Sequence, residues 1–217
     1  MDDRARAPPG QPDGKKKSLT AAERERPDVQ KKREEFTAFL AEADPQRLIF
    51  LDESGSHIGM TRTHARAPRG RRAVGIVPRN RGRVVTMLGA MSLDGMEAMM
   101  LVQGGTTAAV FETFVREHLG PCLRPGDFVI MDNLGAHHAA GIRELIESYG
   151  ATPVYLPPYS PDLNPIELAW SKIKALLRAA AARTVVLLRI MAILASRCIT
   201  PWDASAWFKH CGVAQAA

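Results

Sequence analysis

A proline-rich segment in the second half of the chain restricts the local fold more than any other part of the sequence. Residues 156–167 read Leu-Pro-Pro-Tyr-Ser-Pro-Asp-Leu-Asn-Pro-Ile-Glu. Proline suits extended backbone and the first turn of a helix, but it cannot continue a helix from within. The segment therefore predicts an extended approach to a helix that starts at Pro165, with Asn164 as its N-cap. Glu167 then lies at the third helical position, where a glutamate can complete a capping box.

Two short apolar runs upstream predict buried strands that end at aspartates. Residues 47–52 read Arg-Leu-Ile-Phe-Leu-Asp, residues 127–132 read Asp-Phe-Val-Ile-Met-Asp, and turn-forming residues follow each run. Continuous apolar runs of this length are typical of strands that are buried on both faces of a partly parallel sheet. If the two strands are parallel neighbours, Asp52 and Asp132 emerge together at the carboxyl edge, where open α/β sheets bind their ligands.

The two aspartates and the glutamate of the proline-rich segment together predict a metal-dependent site. Three converging carboxylates repel one another unless cations lie between them, and such oxygen ligands suit Mg²⁺ or Mn²⁺. A centre with two ions can activate an attacking oxygen and stabilise a leaving oxygen in phosphoryl transfer. The structural alternative is that Asp52 and Asp132 cap turns while Glu167 caps a helix. Two matched aspartates and a rigidly presented glutamate favour the shared site.

The residues around these carboxylates resemble the DDE triad of bacterial insertion-sequence transposases related to the mariner elements. The resemblance rests on Leu-Asp-Glu-Ser-Gly at residues 51–55, on Met-Asp-Asn-Leu-Gly-Ala-His at residues 131–137, and on the proline-rich segment. Between Asp132 and Glu167 lie 34 residues, the spacing that is typical of that group. The resemblance extends from about residue 15 to residue 213.

This resemblance implies a transposase catalytic domain that cleaves DNA at the ends of an insertion sequence and transfers the freed strand to target DNA. It implies two Mg²⁺ ions, or Mn²⁺ in their place, with Asp52 bridging both ions and with Asp132 and Glu167 each holding one. It also implies double-stranded DNA as the partner and a homodimer when the protein is assembled on DNA. Asn133 and His137 follow closely enough to orient water or a phosphate around the metals, although a surface or capping role is the alternative for the histidine.

An arginine-rich segment between residues 62 and 83 contains eight arginines and no acidic residue, in a chain whose net charge is +6. Arginine clamps phosphates without reading the bases, so the segment predicts DNA binding that does not depend on sequence. Lys174 and Arg178 share a helix face with Glu167 and predict a second contact, although ordinary surface charge is the alternative for both. The eight arginines are Arg62, Arg66, Arg69, Arg71, Arg72, Arg79, Arg81 and Arg83.

The order of the predicted elements indicates an α/β fold, an RNase H-like mixed sheet flanked by helices, as the resemblance also implies. An antiparallel meander comes first, with an Asp-Gly hairpin signal at residues 94–95, and βα units follow it. Residues 1–17 are predicted to be a disordered tail, residues 18–45 a helical linker left from an upstream region, and residues 46–213 the catalytic domain. Strands are predicted at 47–53, 74–77, 84–91, 96–102, 127–132 and 152–156, and later helices at 107–119, 138–149, 183–199 and 202–210.

The remaining sequence features concern the cellular location of the protein and the region expected before its catalytic domain. No apolar run is long enough to span a membrane, and residues 1–14 lack the apolar region of a secretory signal, so a cytoplasmic protein is expected. Members of the resembled family carry a longer helix-turn-helix region before the catalytic domain, whereas fewer than 50 residues precede the first predicted strand here. We therefore expect the end-binding region to be missing or supplied separately. The alternative functions are an inactive or non-enzymatic DNA-binding remnant and an RNase H-like nuclease.

Overall fold

One mixed sheet forms the centre of the protein in the computed structural model, which describes residues 21–133 and 141–213. Within these residues the sheet has five strands in the order β3-β2-β1-β4-β5. The first three strands form an antiparallel meander, and β4 and β5 continue the sheet in parallel on the other side of β1. The strands are β1 (Leu48–Ser56), β2 (Val85–Ser92), β3 (Gly95–Gln103), β4 (Phe128–Met131) and β5 (Thr152–Tyr155).

Helices cover both faces of this sheet. Short 3-10 turns lead into the first helix and into β1, and a wider π turn at Val115–Leu119 extends the second helix. The helices of the described residues are α1 (Pro27–Glu42), α2 (Ala108–Phe114), α3 (Ile142–Ser148), α4 (Ile166–Ala180), α5 (Val185–Ser196) and α6 (Pro201–His210).

Side chains that alternate along the strands divide the core into two layers, as the pleat of a strand requires. Phe50 of β1 and Ile130 of β4 are buried on the face that packs against α1, α4, α5 and α6. Leu51 and Met131, each one residue further on, are buried on the face that packs against α2 and α3. The face of the sheet to which a side chain of β1 or β4 points therefore follows from its separation in sequence from these four residues.

The first helix is part of this packed structure. Val29, Phe36 and Leu40 of α1 are buried, and the Phe39 ring packs edge-on against Phe128 of β4 at 5.1 Å between ring centres. α1 thus lies against the α4 side of the sheet and close to the carboxyl edge of β4.

Two predicted strands differ from the structure. β1 does not end near Asp52 but runs on to Ser56, because residues 54–56 find backbone partners on β2, with Ser54 opposite Met87. The predicted strand at residues 74–77 is not formed, and Val74 and Ile76 are 88% and 92% exposed. Four residues between arginines could not be buried against the sheet without also burying the neighbouring charges.

Several predicted helix bounds shift. The helix predicted at 107–119 is α-helical only to Phe114 and continues as the π turn. The helix predicted from about residue 138 begins at Ile142, while residues 134–140 lie outside the described residues, as does the predicted tail at 1–17. The two closing helices lie within a few residues of their predicted bounds.

Within the described ranges, no single helix has the length and apolar composition needed to cross a membrane. The pair α5 and α6 reaches that composition only when both helices are taken together across a bend of 78°.

Candidate active site

The parallel pairing of β1 with β4 brings two predicted site residues to the same level. Phe50 lies opposite Ile130 in the register of the two strands. Asp52 and Asp132 are each two residues further along the chain, so they lie side by side where β4 ends. The prediction that both aspartates emerge at one carboxyl edge of the sheet agrees with this register.

The alternation of the strands also decides which face these aspartates share. Because Phe50 and Ile130 point toward α4, Asp52 and Asp132 point toward the same side. Glu167 lies in the first turn of α4. Two adjacent strands and one helix end therefore present a carboxylate each to one region.

The three carboxylates face a common cavity of about 510 Å³. The proline-rich segment, including Asn164, forms most of the remaining wall, together with Asn133. Within the part of the chain that the structure describes, no three His, Cys, Asp or Glu side chains are close enough to form a compact metal cluster. Asp52, Asp132 and Glu167 thus surround a space rather than touch one another.

Asp52 is the most strongly perturbed acid of this site. Burial raises the pKa of its carboxyl from 3.8 to about 7, and the negative charges of Glu167 and Asp132 act in the same direction. Hydrogen bonds from the Glu53 backbone and from Trp170 oppose this rise but do not cancel it. A cation in the cavity would relieve the repulsion, because it favours the ionised form of every carboxyl near it.

Trp170 fixes the orientation of Asp52. Its ring is 1% exposed, and its Nε1 donates a hydrogen bond to Oδ2 of Asp52 at 3.1 Å. The ring lies over Gly89, which pairs with Asp52 across β1 and β2. A Cβ at Gly89 would come within 2.7 Å of the Trp170 ring. The missing side chain at Gly89 therefore makes room for the indole that holds the aspartate.

Glu167 does not complete the predicted capping box. No side chain caps the start of α4, although Glu167 N–H donates to the carbonyl of Asn164 at 3.2 Å. Oδ1 of Asn164 is buried and has no hydrogen-bond partner among the described residues. Since the expected cap bond from Asn164 is absent, Glu167 cannot be explained as half of a capping box, and its place in the cavity wall becomes the better account of this residue.

The proline-rich segment is bent rather than extended, which differs from the prediction. The chain turns at Pro158 and Tyr159, and Tyr159 has a φ of 56°, in the left-handed region that residues with side chains rarely adopt. A single 3-10 turn, Pro161–Leu163, then leads to α4. Proline restricts its own φ and the residue before it, but it leaves Tyr159 and Ser160 free to reverse the chain.

α1 holds this bent segment in place. Arg33 donates two hydrogen bonds to the Asp162 carboxylate, at 2.8 and 3.1 Å, and one to Ser160 Oγ at 2.6 Å. Arg24 adds a bond of 2.9 Å to Asp162. Burial works to raise the pKa of the Asp162 carboxyl, but the hydrogen bonds and charges of these arginines keep it below its usual value. Asp162 therefore ties the segment to α1 and was not identified as such from the sequence.

The other predicted site residues lie in the cavity wall, at the surface or outside the described residues. Asn133 is exposed and lies in the cavity wall, while His137 lies outside the described residues. The eight arginines of the arginine-rich segment are all exposed, and none has an acidic partner within 4 Å in the described ranges. Lys174 and Arg178 lie further along α4 and line a second cavity. The carboxylates are thus brought together, whereas the predicted DNA-binding residues remain at the surface.

Two contacts of the site were not predicted from the sequence. One sequence signal could have predicted the hydrogen bond from Trp170 to Asp52. A buried indole N–H requires an acceptor, and Trp170 follows Glu167 by about one helical turn. The Arg33 bond to Asp162 had none, because the two residues are 129 positions apart and each looks like ordinary surface charge.

Solved structures with the same fold come from the Mos1 transposase. The Mos1 paired-end complex with the left transposon end matches with a TM-score of 0.69 and 16% identity, over 90% of this chain and 63% of that chain. The Mos1 strand transfer complex gives 0.71 and 16%, over 93% and 62%. The isolated Mos1 catalytic domain gives 0.62 and 13%, over 85% and 87%.

At such low identity the likeness concerns the fold, and it confirms the predicted RNase H-like sheet flanked by helices. The chain spans less than two thirds of the Mos1 chains in the two DNA complexes.

A search of curated proteins gave no match to the chain. A family model, described as DDE superfamily endonuclease, matches residues 47–188, which is well over half of the sequence. The matched span contains Asp52, Asp132 and Glu167. The chain therefore belongs to the DDE superfamily endonuclease family.

Proposed function

We propose that this protein is the catalytic domain of a transposase that cleaves DNA at the ends of an insertion sequence and transfers the freed strand to target DNA. The observation that carries the proposal is the common cavity of Asp52, Asp132 and Glu167 in a member of the DDE superfamily endonucleases. Residues 46–213 would form this catalytic domain, with residues 18–45 leading into it.

The carboxylates fit divalent metal ions. Mg²⁺ and Mn²⁺ prefer oxygen ligands, and the pKa of Asp52 is raised by burial first and also by the charges of Glu167 and Asp132, which a cation would offset. We propose two ions, for which Asp52 would be the shared ligand, with Asp132 and Glu167 each completing one site. Each ion would then be held by two of the three carboxylates. Solved Mos1 paired-end complexes contain Mn and Mg, which supports divalent metal use here.

When bound, the ions supply Lewis acidity to the attacking and leaving oxygens of a phosphodiester. The residues of the chain provide the geometry for that chemistry. Trp170 engages Oδ2 of Asp52 and leaves Oδ1 without that bond, so the carboxylate has a defined orientation. Asn133, in the cavity wall, is placed to orient a water molecule near the carboxylates. The bent proline-rich segment forms the wall that positions Glu167.

Double-stranded DNA is the proposed partner, both at the element ends and at the target. The Mos1 structures that share this fold include complexes with a transposon end and with strand transfer DNA. The exposed arginine-rich segment, whose arginines have no acidic partner among the described residues, supplies positive charge, and Lys174 and Arg178 add two cations on α4. A homodimer assembled on DNA and a location in the cytoplasm, where bacterial chromosomal DNA lies, complete the proposal.

The test is strand cleavage on duplex DNA from the element's own end, with Mg²⁺ or Mn²⁺ and with an upstream DNA-binding region added where required. Asp52→Asn, Asp132→Asn and Glu167→Gln are each expected to abolish cleavage, while the three proteins still adopt the same fold and bind DNA. Asp94→Asn, in the exposed turn between β2 and β3, is the matched control and should cleave normally. A Glu167→Gln protein that cuts as well as the parent would contradict the proposal.

The same assay separates the alternatives. Cleavage without strand transfer would indicate an RNase H-like nuclease. DNA binding without metal-dependent cleavage would indicate a non-enzymatic remnant.

The DNA contact of the arginine-rich segment has its own test. Replacing Arg69, Arg71 and Arg72 by Ala should weaken binding to all duplexes alike and flatten the slope of log affinity against log salt by up to about 2.7, about 0.9 for each phosphate contact. Unchanged affinity and slope would show that the segment is only a solvated surface.

A further inference from the structure

A second cavity lies beyond the carboxylates along α4 and differs from the first in charge. It has a volume of about 370 Å³, and none of its lining residues is acidic. One wall is the end of β1 with the loop that follows it, and the other is the middle of α4. The lining residues are Gly55, His57, Gly59, Met60, Thr61, Lys174 and Arg178.

The two cations of this cavity are not neutralised by neighbouring acids. Lys174 and Arg178 are four residues apart and so lie on one face of α4, where like charges destabilise each other. Neither has an acidic partner within 4 Å in the described ranges. Lys172 of the same helix, by contrast, is paired with Asp203 at 2.6 Å. The pair in the cavity therefore favours an anion as a ligand.

The loop opposite these cations is held rigidly. Arg183 donates hydrogen bonds from Nη1 to the carbonyls of Ile58 and Met60, at 2.9 and 2.8 Å. Gly59 donates its backbone N–H to Nδ1 of His57 at 3.1 Å. A Cβ at Gly59 would come within 3.2 Å of that ring nitrogen, a tight contact that glycine avoids.

The bond from Gly59 also defines the hydrogen-bonding state of His57. Since Nδ1 accepts a hydrogen bond, Nε2 is the nitrogen that carries the ring proton and can donate. Burial lowers the pKa of His57, and the charge of Arg81 lowers it further, so both favour the neutral ring, in which Nε2 donates. Imidazole N–H, ammonium and guanidinium groups together suit a phosphate oxygen.

We propose that this cavity, the α4 pocket, binds a single backbone phosphate of the DNA through Lys174, Arg178 and the imidazole of His57. The proposal rests on the proposed function, because it takes DNA as the ligand. Along α4, Lys174 and Arg178 are about 10 and 17 Å from Glu167 at the usual rise per helical residue. The α4 pocket is therefore separate from the carboxylates and holds a phosphate away from the reacting bond.

The closing experiment measures affinity for a mixed-sequence 20-base-pair duplex in EDTA, over a range of salt concentrations. If both cations serve one phosphate, Lys174→Gln with Arg178→Gln should flatten the salt slope by about 0.9 and weaken binding roughly eightfold at about 0.1 M salt. His57→Phe, which keeps a ring but lacks the Nε2 donor, should weaken binding about fivefold, the effect of one hydrogen bond. Inorganic phosphate should raise the melting temperature of the parent more than that of the double variant.

The matched control is Arg197→Gln with Lys209→Gln, which makes the same charge change at exposed positions of the closing helical region and should leave the slope unchanged. A slope that falls by about 1.8 would mean two separate phosphate contacts and would overturn the single-phosphate pocket. An unchanged slope in the Lys174 and Arg178 variant would overturn it as well. A parent that binds duplex normally but never cleaves it would refute only the proposed function.

Discussion

Replacing Asp52 by Asn is expected to stabilise the metal-free protein at mildly alkaline pH, because the folded state disfavours the ionised carboxylate. Burial, with the charges of Glu167 and Asp132, raises the pKa of Asp52 from 3.8 to about 7. The folded protein thus holds this proton more tightly than the unfolded chain. Its stabilising contribution is fully present below about pH 4 and is lost as the pH rises through about 7.

The size of the effect follows from the two pKa values. A difference of one pKa unit corresponds to about 1.4 kcal/mol, so the ionised Asp52 destabilises the folded protein by about 4 kcal/mol. Asn has nearly the same shape and keeps an oxygen that can accept the Trp170 hydrogen bond, but it never carries the charge. Relative to the parent, the Asp52→Asn protein should therefore gain about 4 kcal/mol in unfolding free energy between about pH 4 and pH 8.

Urea unfolding followed by circular dichroism in EDTA, repeated across this pH range, measures the difference. Asp162→Asn is the contrasting control: the folded protein lowers the pKa of Asp162, so its ionised form stabilises the fold above about pH 4 and loses that effect only as the pH falls below it. The variant should therefore be less stable than the parent by a nearly constant amount across this pH range. If the difference between the parent and Asp52→Asn stays constant with pH, the Asp52 carboxylate is not destabilised by the site, and the case for a cation there weakens.

Three further outcomes test the parts that position the site. Trp170→Phe should leave the protein folded but lower its Mn²⁺ affinity about tenfold, because the group that orients Asp52, a proposed metal ligand, is lost. Trp202→Phe, at an 85% exposed position, should bind Mn²⁺ as the parent does. Gly89→Ala should reduce the unfolding free energy by about 1–3 kcal/mol, since its Cβ would lie 2.7 Å from the Trp170 ring; full stability in urea would show that the ring can move aside. Arg33→Gln should speed amide exchange across residues 156–165 and reduce cleavage, and unchanged exchange would mean that Asp162 needs only Arg24.

The sequence predicted the central geometry because two apolar runs left few choices. Residues 48–50 and 128–130 are continuous apolar runs that favour buried strands, and the parallel pairing that the structure shows brings the following aspartates level. The start of α4 was also predictable to within a residue, since a proline fixes the backbone there.

Other features could not be predicted, because contacts with residues far along the chain override local preference. Ser54 and Gly55 look like turn formers, yet β2 extends β1 through them. Tyr159 adopts a left-handed conformation that its residue type disfavours, and the surrounding contacts, not local preference, must hold it there. Asn164 matches an N-cap by type and position, but its side chain makes no cap bond.

The attachment of the proline-rich segment to α1 shows that the segment matched by the family model and the segment needed for folding are not the same. The family model begins at residue 47, whereas Arg33, which holds Asp162, and Phe36, which belongs to the core, lie before that point. At the other end, Phe208 of α6 packs against Phe50 beyond the matched span, with 5.3 Å between ring centres. A fragment cut to the residues of the family match would keep all three carboxylates of the cavity and lose the supports on both sides. We therefore expect the smallest piece that folds by itself to be larger than the segment that identifies the family.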